Sequence, residues 1–200
     1  MSMPADMSER PSVPVTGGAF VAVVGPSGCG KDTLINYARE ALSSRNDVFF
    51  VRRVITRPTD GATEDHIPAT AAQFERKRGS GDFAFHWDAH GLRYGLPVEI
   101  DDRIRDGDCA VCNGSRAVLD ALSRRYAGFQ VVSITAAPER IAQRLALRGR
   151  ESSDEIRARL ERSAQLPTPW PGAIIVDNST TIEAAGERLV EVIRNVAGQR

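Results

Sequence analysis

The chain has 200 residues, of which 42% are hydrophobic, and its 26 Lys and Arg balance its 26 Asp and Glu, so the formal net charge is zero at pH 7. This length suits one domain with a substantial core, and the balanced charge argues against a protein that binds nucleic acid. Three cysteines are too few for a disulfide framework and no apolar run reaches the ~20 residues that span a bilayer, so we predict a cytoplasmic protein without a membrane partner.

The first 18 residues lack the apolar content of a folded segment. They carry three prolines, Pro4, Pro11 and Pro14, among small and polar residues. The burial of so little apolar surface cannot offset the entropy that is lost when the chain is ordered. We therefore predict a disordered tail over residues 1–18 and a single domain over residues 19–200.

From residue 19 onward, short apolar runs alternate with segments whose apolar residues recur at helical spacing. The pattern predicts strands at residues 19–24, 48–55, 109–112, 130–135 and 173–176. It predicts helices at residues 31–42, 97–105, 115–125, 139–147, 153–165 and 182–196. Such alternation predicts an α/β fold in which a parallel sheet is covered by helices on both faces. Residues from about 56 to 96 break the alternation and predict a small inserted lobe that binds a substrate.

A glycine-rich loop joins the first predicted strand to the first predicted helix. Residues 25–32 read GPSGCGKD and match the pattern GxxxxGK, in which backbone amides point at phosphate oxygens and the helix adds its positive N-terminal end. Lys31 would reach the β- and γ-phosphates of ATP and is a candidate catalytic residue. The alternative is an ordinary turn between a strand and a helix. The candidate nucleotide-binding residues are Gly25, Pro26, Ser27, Gly28, Cys29, Gly30, Lys31, Asp32 and Thr33.

The residue after the loop lysine departs from the usual pattern. This position normally holds Ser or Thr, whose hydroxyl binds Mg²⁺, but here it is Asp32, followed by Thr33. A carboxylate is a good ligand for Mg²⁺, so Asp32 and Thr33 are the candidate metal ligands. The alternative is that Asp32 only favours the helix N-terminus.

The three cysteines are predicted to play two different parts. Cys109 and Cys112 lie in an apolar strand pattern on opposite faces, which favours small core residues over a metal site. Cys29 lies among exposed amides at a helix N-terminus, where the pKa of a thiol can be lowered. The sequence therefore predicts that Cys29 is reactive and makes the activity sensitive to oxidation.

Four motifs follow one another in an order that resembles the guanylate kinase family. They are GPSGCGKD at residues 25–32, ITRP at residues 55–58, HGLRYG at residues 90–95 and RLALRGRESSDEIRARL at residues 144–160. The resemblance covers nearly the whole chain after Gly18 and implies a P-loop NTPase fold with ATP and Mg²⁺. It also implies an arginine-rich lid at about residues 144–160, with Arg148 and Arg159 as catalytic residues. The alternative for this segment is a solvated helical hairpin.

Several positions depart from the pattern of a guanylate kinase. Asp60 stands where a second arginine is expected, and His66 appears in place of a tyrosine that grips the acceptor phosphate. Leu96 stands where a hydroxyl residue would follow the Tyr94-Gly95 pair. Asn113 replaces an expected aspartate. A buried site that reads a base through hydrogen bonds loses several orders of magnitude when these groups are missing. The sequence therefore argues against GMP as the acceptor.

The chain resembles a branch of the family that uses a sugar bisphosphate instead. The features that carry this resemblance are Asp32 after the lysine, VRRVITRP at residues 51–58, EDHI at residues 64–67 and VCNGSR at residues 111–116. The resemblance implies that ATP phosphorylates ribose 1,5-bisphosphate to 5-phosphoribosyl 1-diphosphate (PRPP), in phosphonate catabolism. A bisphosphate carries more negative charge than a nucleoside monophosphate, so additional cations would be useful. The candidate acceptor-binding residues are Arg53, Arg57, His66, Tyr94, Asn113 and Arg116.

Two other functions stay open at this point. One is a guanylate or other nucleoside monophosphate kinase whose base contacts lie elsewhere in the lobe. The other is a non-catalytic module of the guanylate kinase type that binds protein partners, although such a module need not retain the GxxxxGK loop. The sequence also leaves the oligomeric state open between a monomer and a homodimer.

Overall fold

The structure of the protein is a computed structural model. It describes residues 13–58, 65–89, 91–148 and 170–199, with only the backbone of residue 148. Several predicted features lie outside the described residues. These are most of the predicted tail, Asp60, most of the predicted lid, the predicted helix at residues 153–165, the side chain of Arg148, and Arg159.

Within the described residues the chain forms nine strands and six α-helices. The strands are β1 (Ala19–Val24), β2 (Val48–Phe50), β3 (Val54–Ile55), β4 (Ile67–Pro68), β5 (Phe83–Ala89), β6 (Leu92–Pro97), β7 (Cys109–Asn113), β8 (Phe129–Thr135) and β9 (Ile174–Asp177). The helices are α1 (Lys31–Ala41), α2 (Ala71–Ser80), α3 (Glu99–Arg105), α4 (Leu119–Arg125), α5 (Pro138–Arg148) and α6 (Ile182–Gly198), and a 3₁₀ turn at Arg116–Val118 leads into α4. Among these helices, none has the length and apolar character needed to cross a membrane.

Five of these strands form a parallel sheet in the order β2-β7-β1-β8-β9. All six residues of the central strand β1 are buried, because alternate side chains enter cores on opposite faces of the sheet. Val21 packs in one core with Leu34 of α1 and Leu189 of α6, whereas Phe20 packs in the other core with Leu122 of α4. The predicted α/β class with a covered parallel sheet is confirmed.

The predicted strand at residues 48–55 is wrong as a single strand, because the chain changes sheets within it. β2 pairs with β7 in the central sheet, whereas β3 belongs to a second sheet of order β4-β3-β6-β5. Between the two strands, the Val51 N–H donates to the Val111 carbonyl at 2.8 Å and the Arg53 carbonyl accepts from the Ile67 N–H at 2.9 Å. The apolar pattern runs through both strands and does not show the change of partner.

Apart from β3 and the last residue of β6, the second sheet and α2 lie within the residues predicted to form the inserted lobe. β5 and β6 form an antiparallel hairpin, and Phe83 on β5 packs against Phe74 of α2 with 4.7 Å between ring centroids. A capping box starts α2, since the Thr70 hydroxyl accepts from the Gln73 N–H and the Gln73 side chain accepts from the Thr70 N–H. The sequence did not predict this helix or the hairpin individually.

The chain is already held against the domain at Val15. Its N–H donates to the Arg125 carbonyl at 2.7 Å, its carbonyl accepts from the Ala127 N–H at 3.0 Å, and its side chain is buried. These contacts contradict disorder up to Gly18, because one apolar side chain in this short stretch finds a place in the core. Residues 1–12 lie outside the described part of the chain.

A buried carboxylate ties α3 to the segment that follows α4. Asp101 is only 3% exposed, and it forms an ion pair with Arg125. The Tyr126 hydroxyl donates to the same carboxylate at 3.0 Å, and the Tyr126 ring stacks on Phe20 with 4.6 Å between centroids. Burial, followed by the charge of Asp101, raises the pKa of Tyr126 far above its usual value. This network fixes the segment at the end of α4 against which Val15 pairs.

Candidate active site

The glycine-rich loop lies at the carboxyl end of β1, and α1 begins directly after it at Lys31. Gly28 and Gly30 have φ values of 87° and 92°, in the left-handed region that favours glycine. A Cβ atom at Gly28 would lie 3.0 Å from Ile141 and 3.2 Å from Leu145, so α5 packs closely on the outside of the loop. The loop therefore turns as a phosphate-binding loop must, with its outer face against a helix.

Lys31 folds over the loop from the first turn of α1. Its ammonium donates to the carbonyl oxygens of Gly25 at 2.9 Å and of Pro26 at 3.1 Å. Both acceptors lie at the start of the loop, so the charge is held beside the backbone that would surround a phosphate. The role of Lys31 as a cation acting on the β- and γ-phosphates stays a prediction.

Asp32 and Asn113 meet at the same edge of the central sheet, although 81 residues separate them. Asp32 lies in the first turn of α1 and Asn113 ends β7, and the Asn113 amide donates to the Asp32 carboxylate at 2.7 Å. Thr33 is half-buried one residue further along α1. Asn113 was predicted to bind the acceptor, and the structure places it where it orients the candidate metal ligand Asp32.

Arg116 brings a second cation to the loop. It is half-buried in the 3₁₀ turn after β7, burial lowers the pKa of its guanidinium, and its charge acts on Cys29. Among the described residues it has no hydrogen-bond or ion-pair partner. Arginine stays protonated despite this burial, so Arg116 is a poorly solvated positive charge beside the loop and suits a bound anion.

The prediction of a lowered pKa for Cys29 is wrong. Its side chain is fully buried, and this burial raises the pKa of the thiol by more than the positive charges of Lys31 and Arg116 lower it. Position in a loop of amides did not reveal that α5 covers the outside of that loop. Cys109 and Cys112 are also buried and lie in opposite cores, as predicted.

We expect Cys29 to react slowly with thiol reagents in the folded protein, because a buried and protonated thiol is a poor nucleophile. Labelling with a chromogenic disulfide reagent should show no fast-reacting thiol until guanidinium chloride is added. Cys29→Ala should show the same sensitivity of activity to peroxide as the parent. One fast thiol per chain that disappears in Cys29→Ala would contradict this expectation.

The acceptor candidates of the lobe fall into two contacts. Arg53 is 7% exposed, and its guanidinium lies 5.0 Å from the ring centroid of Tyr94 and 5.9 Å from that of Trp87. The two rings stack with 5.2 Å between centroids. In the second contact, the buried His66 places its Nε2 atom 3.3 Å from the backbone carbonyl of Arg57. His66 thus supports the backbone of Arg57, whereas Arg53 and Tyr94 form a largely buried contact between a cation and an aromatic ring.

Arg57 also lines a cleft of about 640 Å³ in the lobe. Arg93 lies on the same cleft, and so do Thr70 and Ala71 at the N-terminus of α2. The Arg93 guanidinium forms an ion pair with Glu75 at 2.6 Å. Glu75 offsets the charge of Arg93, so the Arg57 guanidinium and the N-terminus of α2 are what make this cleft favourable to negative charge.

Sequence reasoning missed two residues that contact the loop. Arg144, at the start of the predicted lid, and Asn178, directly after β9, both donate to the backbone carbonyl of Cys29. A contact between a side chain and a backbone carbonyl has no sequence motif, because any residue can supply the carbonyl. The one sequence signal is the helical spacing of Ile141 and Leu145 around Arg144, which indicates that this face of α5 packs against the domain. The proposed catalytic residue Arg159 and the side chain of Arg148 lie outside the described residues.

Comparison with known proteins gives the chain close relatives. No family model matches it. It is 45% identical over 185 residues to the ribose 1,5-bisphosphate phosphokinase PhnN of Chelativorans sp. strain BNC1, covering 92% of this chain and 88% of the relative. The proteins of the same name from Brucella melitensis biotype 2 and Bradyrhizobium diazoefficiens are 47% identical over 180 residues and 45% identical over 195 residues. These matches cover 90% and 98% of this chain, and 94% and 98% of the two relatives.

The solved structures that resemble the chain include a guanylate kinase from Anaplasma phagocytophilum. The TM-score is 0.65 at 16% sequence identity, over 94% of this chain and 90% of that one. At this identity the likeness speaks for the fold alone. It confirms the prediction of a guanylate kinase-like P-loop fold, to which the parallel sheet and the loop after β1 already pointed.

Proposed function

The chain belongs to the family of ribose 1,5-bisphosphate phosphokinases, and from this premise we propose how its residues carry out the reaction. The activity is the phosphorylation of ribose 1,5-bisphosphate to PRPP at the expense of ATP. The observation that supports it best is 45% identity over nearly the full length of relatives with this name. The alternative of a non-catalytic module gains no support from a family of kinases.

The loop would hold the phosphates of ATP. Its backbone amides and the N-terminus of α1 attract phosphate oxygens, and Lys31 already lies beside the loop carbonyls of Gly25 and Pro26. On nucleotide binding, the ammonium would exchange these carbonyls for β- and γ-phosphate oxygens. There it would neutralise the charge that develops as the γ-phosphoryl group moves.

The acceptor supplies its own nucleophile. An oxygen of the 1-phosphate would form a bond to the γ-phosphorus while the bond from that phosphorus to the β–γ bridging oxygen breaks, which releases ADP. Because a phosphate oxygen is already ionised near neutral pH, the step needs no general base. The protein's contribution is therefore position and charge, which agrees with a site built from cations and backbone amides.

A bisphosphate carries charge at both ends, and the described residues offer cations at two places. Arg116 lies beside the loop as a half-buried guanidinium. In the lobe, Arg57 lines the large cleft, and Arg53 lies over Tyr94. We infer that these two groups of cations hold the two phosphates, with His66 supporting Arg57 through its backbone.

The carboxylate of Asp32 fits a magnesium ion carried with ATP. The Asn113 amide orients this carboxylate by donating to one of its oxygens at 2.7 Å, and Thr33 follows on the same turn. In the described part of the chain, no three His, Cys, Asp or Glu side chains cluster closely enough to hold a metal. Asp32 would thus supply one ligand beside phosphate oxygens and water, a common arrangement for Mg²⁺, which neutralises charge on the phosphates.

The rest of the proposed organisation extends beyond the described residues. Residues 19–200 would form one domain, with the lobe at about residues 56–96 and the lid at about residues 144–160. By family resemblance, Arg148 and Arg159 of the lid would close over the transferring phosphoryl group and exclude water. We place the enzyme in the cytoplasm, where both substrates would be found.

The acceptor decides between this function and that of a nucleoside monophosphate kinase. In an ADP-release assay with ATP and Mg²⁺, we expect turnover with ribose 1,5-bisphosphate and at least about 10⁴-fold lower kcat/KM with GMP, because Leu96 lacks the expected hydroxyl and Asn113 lacks the expected carboxylate. Phosphorus NMR should identify the product as a 1-diphosphate. Comparable turnover with GMP would contradict the proposal, and activity with neither acceptor would overturn it.

The same assay tests the cation beside the loop. Arg116→Met should raise the KM for ribose 1,5-bisphosphate by about tenfold to a hundredfold, since a poorly solvated charge that pairs with phosphate contributes strongly. Arg105→Met is the matched control, because Arg105 is exposed and pairs with Asp102 on α3. Equal KM values for the two variants would remove Arg116 from the acceptor site.

A further inference from the structure

The carbonyl of Cys29 accepts two hydrogen bonds from outside the loop. The Arg144 guanidinium donates to it at 3.1 Å and the Asn178 amide donates at 2.8 Å. Arg144 also donates to the backbone carbonyl of Asn178 at 3.0 Å, so the two residues are tied to each other. The Asn178 N–H donates to the Thr135 carbonyl at 2.8 Å, which anchors the pair to the end of β8.

The orientation of the Asn178 amide is dictated by this contact. Asn178 is 1% exposed, and its Oδ1 atom has no hydrogen-bond partner in the part of the chain that the structure describes. A reversed amide would point that oxygen at the carbonyl oxygen of Cys29, which would repel it. The Asn178 amide thus donates to the loop while its buried Oδ1 atom has no partner among the described residues. An unsatisfied buried acceptor destabilises a fold, which indicates that the hydrogen bond to the loop is important.

The contact has a consequence on the inner side of the loop. The peptide bond between Cys29 and Gly30 is trans, so the Cys29 carbonyl and the Gly30 N–H point in opposite directions. A carbonyl held outward by two donors therefore aims the Gly30 N–H inward, where a phosphate would lie. The positive charge of Arg144 on the carbonyl also polarises this peptide and makes the amide a stronger donor.

We propose that Arg144 and Asn178 are positioning residues that hold the Gly30 amide ready for a phosphate of ATP. This inference rests on the proposed role of the loop in nucleotide binding. Arg144 acts through the peptide bond and not by touching the nucleotide. Its partner Asn178 also explains why residue 30 is glycine, since a Cβ atom there would collide with the Asn178 amide.

Arg144→Met should weaken ADP binding, measured by calorimetry, by about tenfold to a hundredfold, because a charged donor to the loop is lost. Arg144→Lys keeps the charge and one donor and should recover most of that loss. The KM for ribose 1,5-bisphosphate should stay within about twofold of the parent. Arg140→Met is the matched control, since Arg140 is exposed on the same helix and donates to Ser179 instead of the loop.

A spectroscopic readout separates positioning from direct contact. In nucleotide-free protein, the amide resonance of Gly30 should move in Arg144→Met and stay in place in Arg140→Met. Weakened ADP binding with an unmoved Gly30 resonance would mean that Arg144 contacts the nucleotide, which overturns the inference. Unchanged ADP binding in Arg144→Met would overturn it as well.

ADP binding by the parent and by the Arg144 variants separates the proposed function of the loop from the positioning role of Arg144. If the parent protein itself does not bind ADP, the proposed function of the loop is wrong. If the parent binds ADP and both Arg144 variants bind it equally well, only the positioning role is wrong. Should Arg144→Met fail to fold, judged by its thermal unfolding, the lysine variant carries the test through its ADP affinity and its Gly30 resonance.

Discussion

Lys31→Met lowers kcat by about a thousandfold or more, with the fold intact. The methionine keeps the length and apolar stem of the side chain but removes the charge that would stabilise the moving phosphoryl group. That charge acts where water is excluded, so its loss should cost at least as much as the loss of one strong transition-state donor, about 10³-fold. Lys31 also lies close to the loop already, at 2.9 Å from the Gly25 carbonyl, so little reorganisation is needed before it acts.

The measurement is the initial rate of ADP release at saturating ATP and ribose 1,5-bisphosphate, with circular dichroism to verify folding. Lys77→Met is the matched control, because Lys77 is exposed on α2 and pairs with Asp82 at 3.4 Å. This control should retain the parent rate. A rate for Lys31→Met within tenfold of the parent would remove Lys31 from the reaction.

Asp101→Ala lowers the free energy of unfolding by about 3–5 kcal/mol, because it removes a buried carboxylate that two other side chains contact. The substitution leaves the Arg125 guanidinium and the buried Tyr126 hydroxyl without their shared acceptor. When one partner of a buried network is removed, the remaining polar groups stay buried without a partner, and this destabilises the folded state. The groups of a surface pair are hydrated instead, so the same loss costs little there. The loss should also loosen the segment that pairs with Val15.

Urea unfolding followed by tryptophan fluorescence measures this loss. Asp102→Ala is a close control, since Asp102 is the next residue on α3, its side chain is 75% exposed, and it pairs with Arg105. The control should change stability by no more than about 0.5 kcal/mol. Similar losses for the two variants would show that burial of Asp101 does not set its contribution.

Local sequence patterns were sufficient where one element decides the outcome. The GxxxxGK loop between a buried strand and a helix predicted the site at the carboxyl end of β1, and alternating elements predicted the parallel sheet. The cysteines of β7 were correctly predicted as core residues on opposite faces, because alternation along a strand is a purely local property.

Local sequence patterns failed where a feature depends on contacts between elements that are distant in the sequence. The apolar run at residues 48–55 carries no sign that the chain leaves one sheet for another after Phe50. The pKa of Cys29 is raised because its thiol is buried in a core to which α5, more than a hundred residues away, contributes Ile141 and Leu145. The contacts of Arg144 and Asn178 with the loop are made to a backbone carbonyl and so have no sequence signature.

The hydrogen bond between Asp32 and Asn113 also constrains which substitutions this site can accept in evolution. In the guanylate kinase pattern the hydroxyl residue follows the lysine and the carboxylate ends the neighbouring strand, whereas here the carboxylate follows the lysine and the neutral partner ends the strand. Each pattern supplies one carboxylate at this pair of positions, so the negative charge has moved from one position to the other. A single replacement would leave either two carboxylates facing each other or none. The two positions should therefore change together, as a covarying pair.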